Sequence, residues 1–221
     1  VSGTSPDRPD PGLAALPAAL SSLGLELRPE QHEVLGRYVE LVLDWNSRIN
    51  LVSRRDTGRL VSYHIVDSLA AARYLPPIGS VADIGTGAGL PGIPLAVCRP
   101  DLDFALVESS YKKSVFLRTA TESLSLTRVR VVTNRAEDMA PLGCDLVLGR
   151  QTGPVRETLE WCGRHARAGG LVVLYKTADS VDELRRNARA ANRARLTLER
   201  VDAIDLPLTG VPRRFAVLRR S

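Results

Sequence analysis

Long apolar runs are missing from this chain. None approaches the roughly 20 residues that a bilayer-crossing helix needs, and the opening VSGTSPDRPDPG lacks the charged-then-apolar order of a secretory signal. A cytoplasmic protein with no membrane partner is expected. Cysteine is scarce as well. Cys98, Cys144 and Cys162 are odd in number and none forms the close pair of a zinc site or a redox dithiol, so buried reduced thiols are expected in place of a disulfide framework or a metal site. Lysine numbers only three against 27 arginines. The formal charge of +5 permits a nucleic-acid partner without requiring one. Arginine in an alanine- and leucine-rich chain is also what a GC-rich coding sequence produces, so the placement of the basic residues matters more than their number.

What is present fits one α/β domain with an appendage: 221 residues, 44% of them hydrophobic, and no internal repeat. Residues 1–12 are proline-rich and polar, and disorder is expected there. From Pro29, the residues Val34, Leu35, Tyr38, Val39, Val42, Trp45 and Ile49 recur at helical spacing, predicting a helix that ends near Asn50. A second helix is predicted over 61–75, stopped by Pro76-Pro77. We therefore divide the chain into a tail (1–12), a helical extension (13–76) and a main domain (77–221). In the last of these, strands are predicted at 79–84, 103–108, 128–133, 144–149 and 170–175, with helices at 91–99, 111–124, 154–167 and 180–193. That alternation predicts a parallel sheet covered on both faces. RLTLERVDAI and RRFAVLRR then predict an antiparallel hairpin. A Rossmann-like sheet closed in this way resembles the class I S-adenosylmethionine-dependent methyltransferase fold.

Two glycine codes overlap in ADIGTGAGLPG, residues 82–92. Gly87 to Gly92 satisfies the dinucleotide pattern G-x-G-x-x-G. Asp83 with Gly85, Gly87 and Gly89 has the acidic-plus-glycine form suited to S-adenosyl-L-methionine. The ligands differ in charge: a pyrophosphate favours a helix N-terminus, whereas an acidic Asp83 suits a cationic amino-acid moiety, unless it merely caps the turn. Glu108 follows Gly89 by 19 residues at the end of the second strand, where an acid can accept from ribose hydroxyls. Loop, hairpin and Glu108 together favour the methyl donor.

The fourth strand ends in DLVLGRQTGP. It has no Asp/Asn-Pro-Pro-aromatic segment to hold an exocyclic amine and no Pro-Cys to attack a pyrimidine ring; its exposed group is Arg150. Such an inventory suits a nucleophile with no proton to lose, as at guanine N7, for which no general base is required.

WNSRINLVS, HIVDSL, DIGTGAGLPGIPLA, KKSVFL, NRAED and the strand-end Arg150 together resemble the RsmG (GidB) family of bacterial 16S rRNA guanine-N7 methyltransferases, from about residue 30 onward. The resemblance implies transfer of a methyl group to guanine 527 in the 530 loop of 16S rRNA, with loss of activity linked to low-level streptomycin resistance. It implies cofactor contacts from Gly85 and Leu90, adenine contacts from Ala136 and Glu137, and an Arg150 that reaches the cofactor and the target base. Arg135 stands where many class I enzymes carry an acid, so backbone recognition of adenine is expected. Gln151-Thr152 replaces the small apolar residues more usual in the family.

Helical spacing places His64 and Asp67 on one face at i, i+3 and Asn46 and Asn50 at i, i+4. Structural and functional readings are both open for these pairs, and Trp45 is expected in the core. Arg150 and Asp67 are the candidates for positioning and electrostatics, and Asn50, His64 and Lys176 for contact with substrate RNA. Lys112-Lys113 is expected to face solvent or phosphate, and the arginines of 185–200 with Arg213, Arg214, Arg219 and Arg220 could supply phosphate contacts. The expected partner is 16S rRNA or the small ribosomal subunit, approached by a monomer without a metal. The rival readings are a methyltransferase for another RNA or a small molecule, a nicotinamide-dinucleotide oxidoreductase, and an RNA-binding module without turnover.

Overall fold

The computed structural model describes residues 12–221; of the tail expected at 1–12, residues 1–11 lie outside them, and Gly12 already begins a helix. Two helices open the fold, α1 (Gly12–Ser22) and α2 (Pro29–Asn46). The apolar stripe of α2 buries Leu35, Tyr38, Val39 and Val42, one face of a 3.6-residue period. Gln31 secures its start twice over. Its side-chain oxygen accepts from the Arg28 N–H at 2.9 Å, while its amide donates to the Val97 and Cys98 carbonyls at 2.6 and 3.0 Å. The helix stops at Asn46, four residues before the expected end, because Asn46 Oδ1 turns back to accept from the backbone N–H groups of Leu51 and Val52.

The single helix expected over 61–75 is instead three pieces. Leu60–Ile65 forms a wide π turn, Val66–Leu69 (α3) a single α turn, and Ala70–Tyr74 a tight 3₁₀ turn. Wide turns of this kind frequently occur at functional sites, and this one carries His64.

Next come β1 (Ser80–Ile84), α4 (Gly92–Cys98), β2 (Asp103–Glu108), α5 (Tyr111–Ser123), β3 (Val129–Thr133) and β4 (Cys144–Gly149). After them come α6 (Val155–His165), β5 (Ala166–Lys176), α7 (Ala178–Arg186), α8 (Ala188–Arg193), β6 (Leu196–Asp205) and β7 (Pro212–Arg220). The helix expected over 180–193 breaks at Asn187, whose side chain donates to the Glu183 carbonyl. β5 begins at Ala166, earlier than expected, because Ala166 pairs with Cys144 ahead of a register shift.

The sheet order is β3-β2-β1-β4-β5-β7-β6, with the first five strands parallel and β7 antiparallel to both neighbours. This is the α/β methyltransferase architecture with its terminal hairpin. Period-2 alternation along the strands supplies two cores. Val81, Phe104, Leu106, Leu148, Val173 and Val217 face α1–α5, and Ala82, Ile84, Val107, Val147, Leu174 and Leu218 face α6 and α8. Trp45 packs edge-on against Phe116 at 5.6 Å, and Cys144 and Cys162 are buried. The hairpin also grips the first helices. Phe215 stacks between Tyr74 and Tyr175, and the Tyr74 hydroxyl donates to Asp202 at 2.8 Å. Strand order reverses between β1 and β4, so their carboxyl ends open a crevice there, where ligands of open α/β sheets bind.

Candidate functional site

The crevice floor is the loop after β1. Gly85, Gly87 and Gly89 all have positive φ, +66°, +60° and +92°. A Cβ on Gly87 would meet only the Gly85 carbonyl oxygen, at 4.0 Å, so this backbone can be approached closely. Three buried side chains hold the loop. Glu108 accepts from Gly87 N–H at 3.0 Å and from Ser110 N–H at 2.8 Å; Asp83 Oδ2 accepts from Thr86 Oγ1 at 2.6 Å and Gly92 N–H at 2.8 Å; and the Tyr38 hydroxyl donates to the Ala88 carbonyl at 2.7 Å.

Asp83 therefore does cap the turn, but with one oxygen only. Its Oδ1 is buried with no hydrogen-bond partner among the described residues, and burial pushes the carboxyl up to about 7. An orphaned carboxylate oxygen beneath a glycine loop fits a cationic ligand group and is ill-suited to a pyrophosphate.

A cleft of about 250 Å³ lies above the loop, walled by Val52, Asp56, His64, Gly85, Leu90 and Arg150. Arg150, at the end of β4, is the centre of a buried network. Its Nε lies 3.2 Å from Asp67 Oδ2, Nη1 donates to Ser68 Oγ at 3.2 Å, and Nη2 donates to His64 Nδ1. Asp67, 0% exposed, is also gripped by Arg213 of β7, whose Nε and Nη2 donate at 2.6 and 3.0 Å. Burial first, then the Arg150 charge, depresses the His64 pKa to about 4. The imidazole is thus neutral near pH 7 and accepts from Arg150.

The expected residues divide accordingly. Gly85, Gly87, Leu90, His64 and Arg150 line one cleft, with Asp83, Gly89 and Glu108 in the loop and its supports. His64 and Asp67 do not pair with each other; the wide turn separates them and each binds Arg150 instead. Asn50 is exposed, and the turn-forming work belongs to Asn46. Ala136 is buried, its carbonyl accepting from His165, and Glu137 borders a different cleft beside Trp161 and Arg164. The 136–138 turn nevertheless starts next to the second strand's end, where Asn134 N–H donates to the Glu108 carbonyl. Lys176 lies across the 149–153 turn, in a neighbouring cleft of about 240 Å³ with Gln151, Thr152 and Glu183, and burial lowers its pKa.

Arg213, Arg219 and Arg220, expected to be phosphate contacts, are engaged within the fold. Arg213 is 5% exposed on Asp67, Arg219 pairs with Glu199, and Arg220 donates to the Gly163, Arg164 and Ala166 carbonyls. Sequence reasoning missed Asp56 and Tyr38 and did not place Lys113 at the cleft mouth. No local pattern marks them, since their roles come from contacts distant in the chain. Among the described residues there is no cluster of metal-ligating side chains and no helix long and apolar enough to cross a membrane.

Comparisons with known proteins give the family and the fold. Residues 31–207 match the family model GidB, described as rRNA small subunit methyltransferase G. A Neisseria meningitidis serogroup C protein named Ribosomal RNA small subunit methyltransferase G is 31% identical over 205 residues, covering 93% of this chain and 97% of its own. A Moorella thermoacetica protein of the same name is 37% identical over 182 residues, covering 79% and 76%. Among solved structures, M. jannaschii TYW2 in complex with AdoMet superposes with a TM-score of 0.58 at 16% identity, covering 79% of this chain and 80% of the other. Precorrin-6y C5,15-methyltransferase from Geobacter metallireducens gives 0.54 at 17% identity, covering 78% and 91%. At such identities the structural likeness establishes the fold.

Proposed function

Because the chain belongs to the GidB family of rRNA small subunit methyltransferase G, and is thus an S-adenosylmethionine-dependent methyltransferase, we propose that it methylates N7 of a guanine in 16S rRNA, guanine 527 of the 530 loop. S-adenosylmethionine supplies an electrophilic methyl group on a sulfonium when bound. Asp83 Oδ1 and the backbone of Gly85, Gly87 and Gly89 would hold its amino-acid end, Glu108 its ribose, and Ala136 and Glu137 its adenine. Leu90 would pack against it.

The observation that carries the acceptor assignment is that the acidic side chains walling the cleft are engaged, and that the carboxylate oxygen left unpaired, Asp83 Oδ1, lies beneath the glycine loop, where it would serve the cofactor. Asp67 is held by two arginines, Asp56 by Ser53 and Arg59, and Glu108 by two backbone N–H groups, while His64 Nδ1 is occupied by Arg150. No such group stands ready to remove a proton. Guanine N7 has an in-plane lone pair and no proton to lose, so orientation suffices. Arg150, its charge partly offset by the Asp67 carboxylate that it shares with Arg213, positions the base.

In this reading residues 13–76 form an extension that walls the cleft through Val52, Asp56 and His64, and 77–221 form the methyltransferase domain. The partner is the small ribosomal subunit or its 16S rRNA, met in the cytoplasm by a monomer, with Lys176 and Asn50 toward the RNA. The test is methyl incorporation from labelled S-adenosylmethionine into small subunits lacking this modification, followed by nucleoside mass spectrometry. N7-methylguanosine is expected; incorporation into any other nucleoside overturns the assignment.

A further inference from the structure

One polar atom on the cleft wall is left bare. His64 is 6% exposed, and its Nδ1 receives an N–H of Arg150. A guanidinium offers donors only, so Nδ1 is the acceptor and the single imidazole proton resides on Nε2. That Nε2 has no hydrogen-bond partner among the described residues. Asp56 Oδ2 stands 3.5 Å away, too far for a good hydrogen bond. It already accepts from Ser53 at 2.6 Å, and Asp56 Oδ1 is taken by Arg59. The Tyr63 ring, edge-on at 5.1 Å, offers no acceptor atom to the imidazole. Leaving a buried donor unpaired is costly, and the long 3.5 Å approach of Asp56 Oδ2 pairs it only weakly, so a ligand acceptor brought to Nε2 would make the better bond.

We propose that His64 Nε2–H donates to O6 of the acceptor guanine and thereby selects guanine over adenine. The proposal rests on the guanine-N7 reading above. Guanine presents N7 and O6 as neighbouring acceptors on one edge, whereas adenine presents an amino donor in place of O6. A donor fixed beside the methylated nitrogen therefore pairs with guanine and meets adenine donor to donor, a mismatch that polar sites reject strongly. Neutrality of the donor matters too. Transfer to N7 leaves the base cationic, and an imidazolium at O6 would add to the positive charge already carried there by Arg150, whose counter-ion Asp67 is shared with Arg213. Arg150 on Nδ1 sets the tautomer, and the Asp56 carboxylate beside Nε2 favours the same one, so Arg150 and His64 act as one reading head: Arg150 sets the proton and His64 presents it.

Two measurements test this. The first is the tautomer, read from imidazole ¹⁵N shifts near neutral pH; with three histidines in the chain, His64→Gln assigns the signal. Protonated Nε2 with bare Nδ1 is expected, and the opposite tautomer or a charged ring overturns the proposal. The second uses small subunits reconstituted with RNA carrying 2-aminopurine, which lacks O6, in place of the target guanine. His64→Leu should lower kcat/KM on guanine about fivefold and narrow the preference for guanine over 2-aminopurine by the same factor. The Kd for S-adenosylmethionine should stay unchanged. His64→Gln, which keeps a donor at that reach, should recover part of the loss. An unchanged preference in His64→Leu overturns the proposal, as does a loss confined to cofactor binding, which would put the donor on the cofactor carboxylate. Absence of N7-methylguanosine from the wild-type reaction would instead remove the functional reading beneath it.

Discussion

Replacing Asp67 with asparagine should destabilise the protein far beyond what the loss of one charge at a surface would do. The carboxylate is fully buried and receives Arg213 through two hydrogen bonds and Arg150 through a 3.2 Å contact. Removing its charge keeps the shape but leaves two buried guanidinium groups facing each other without a counter-charge. Breaking a buried pair by removing one partner costs about 3–5 kcal/mol. For a chain of this size each kcal/mol shifts the melting temperature by about 2–4 °C, which gives a fall of about 6–20 °C. Thermal unfolding followed by circular dichroism reads this directly. The cause is isolated by Arg213→Met, made alone and together with Asp67→Asn. If unpaired charge is the source, Arg213→Met is damaging in the wild type but relieves part of the damage in Asp67→Asn, giving an interaction energy of about 0.5–3 kcal/mol. A melting temperature within a degree or two of wild type, or simple additivity of the two changes, would refute the reasoning.

The two ends of the glycine loop should respond differently to alanine. Gly92→Ala sets a Cβ against the Leu106 side chain and 2.9 Å from Asp83 Oδ2, so overpacking should lower stability in urea titration by about 1–3 kcal/mol. Gly87→Ala points into open space, and its positive φ costs about 1–2 kcal/mol; its larger effect should be a loss of cofactor affinity measured by calorimetry. Asp83 gives a pH signature. Its folded pKa of about 7 lies above the unfolded carboxylate value, so its contribution favours the unliganded fold at low pH and is lost as pH rises from about 4 to about 7. A cationic cofactor group favours the ionised form, so affinity should rise with pH up to about 7 with proton release on binding; Asp83→Asn should abolish the release. Arg220→Ala removes donors from three carbonyls at the end of α6 and should lower the melting temperature with little change in RNA affinity. Exposed Arg54 and Arg55, next to the cleft-wall residue Asp56, should behave oppositely: glutamine at both should weaken binding to the subunit and flatten its salt dependence.

The parallel strands and the glycine loop were legible because their signals are contiguous. Alternating apolar residues define each strand, and Asp83, the three loop glycines and Glu108 fall within two neighbouring strand ends. The hairpin followed from two short apolar runs around a proline-bounded turn. The network behind Arg150 was not legible, because its partners are far apart in the chain: His64 lies 86 residues from Arg150, and Asp67 lies 146 from Arg213. A smooth helical period over 61–75 also hid the wide turn that parts His64 from Asp67, since tertiary contacts override local propensity there. Counting arginines misled in the same way. Arg213 and Arg220 look like free cations in the sequence, yet each is occupied by groups on other elements.

The position of β7 has a consequence for how the molecule is made. It is the last of the seven strands along the chain but lies inside the sheet, between β5 and β6. As the chain leaves the ribosome at about 5–20 residues per second, β6 emerges before the strand that will pair with it, and the β5 edge stays open. The β5 edge can be covered only once the apolar run Phe215–Leu218 has been made, and Arg213 comes with that run to meet Asp67. Completion of the sheet and of the Asp67 clasp thus depend on the same strand. A partly made chain carries the glycine loop after β1 but not the Arg213 clasp on Asp67, so the buried network behind Arg150 is complete only once β7 has been made.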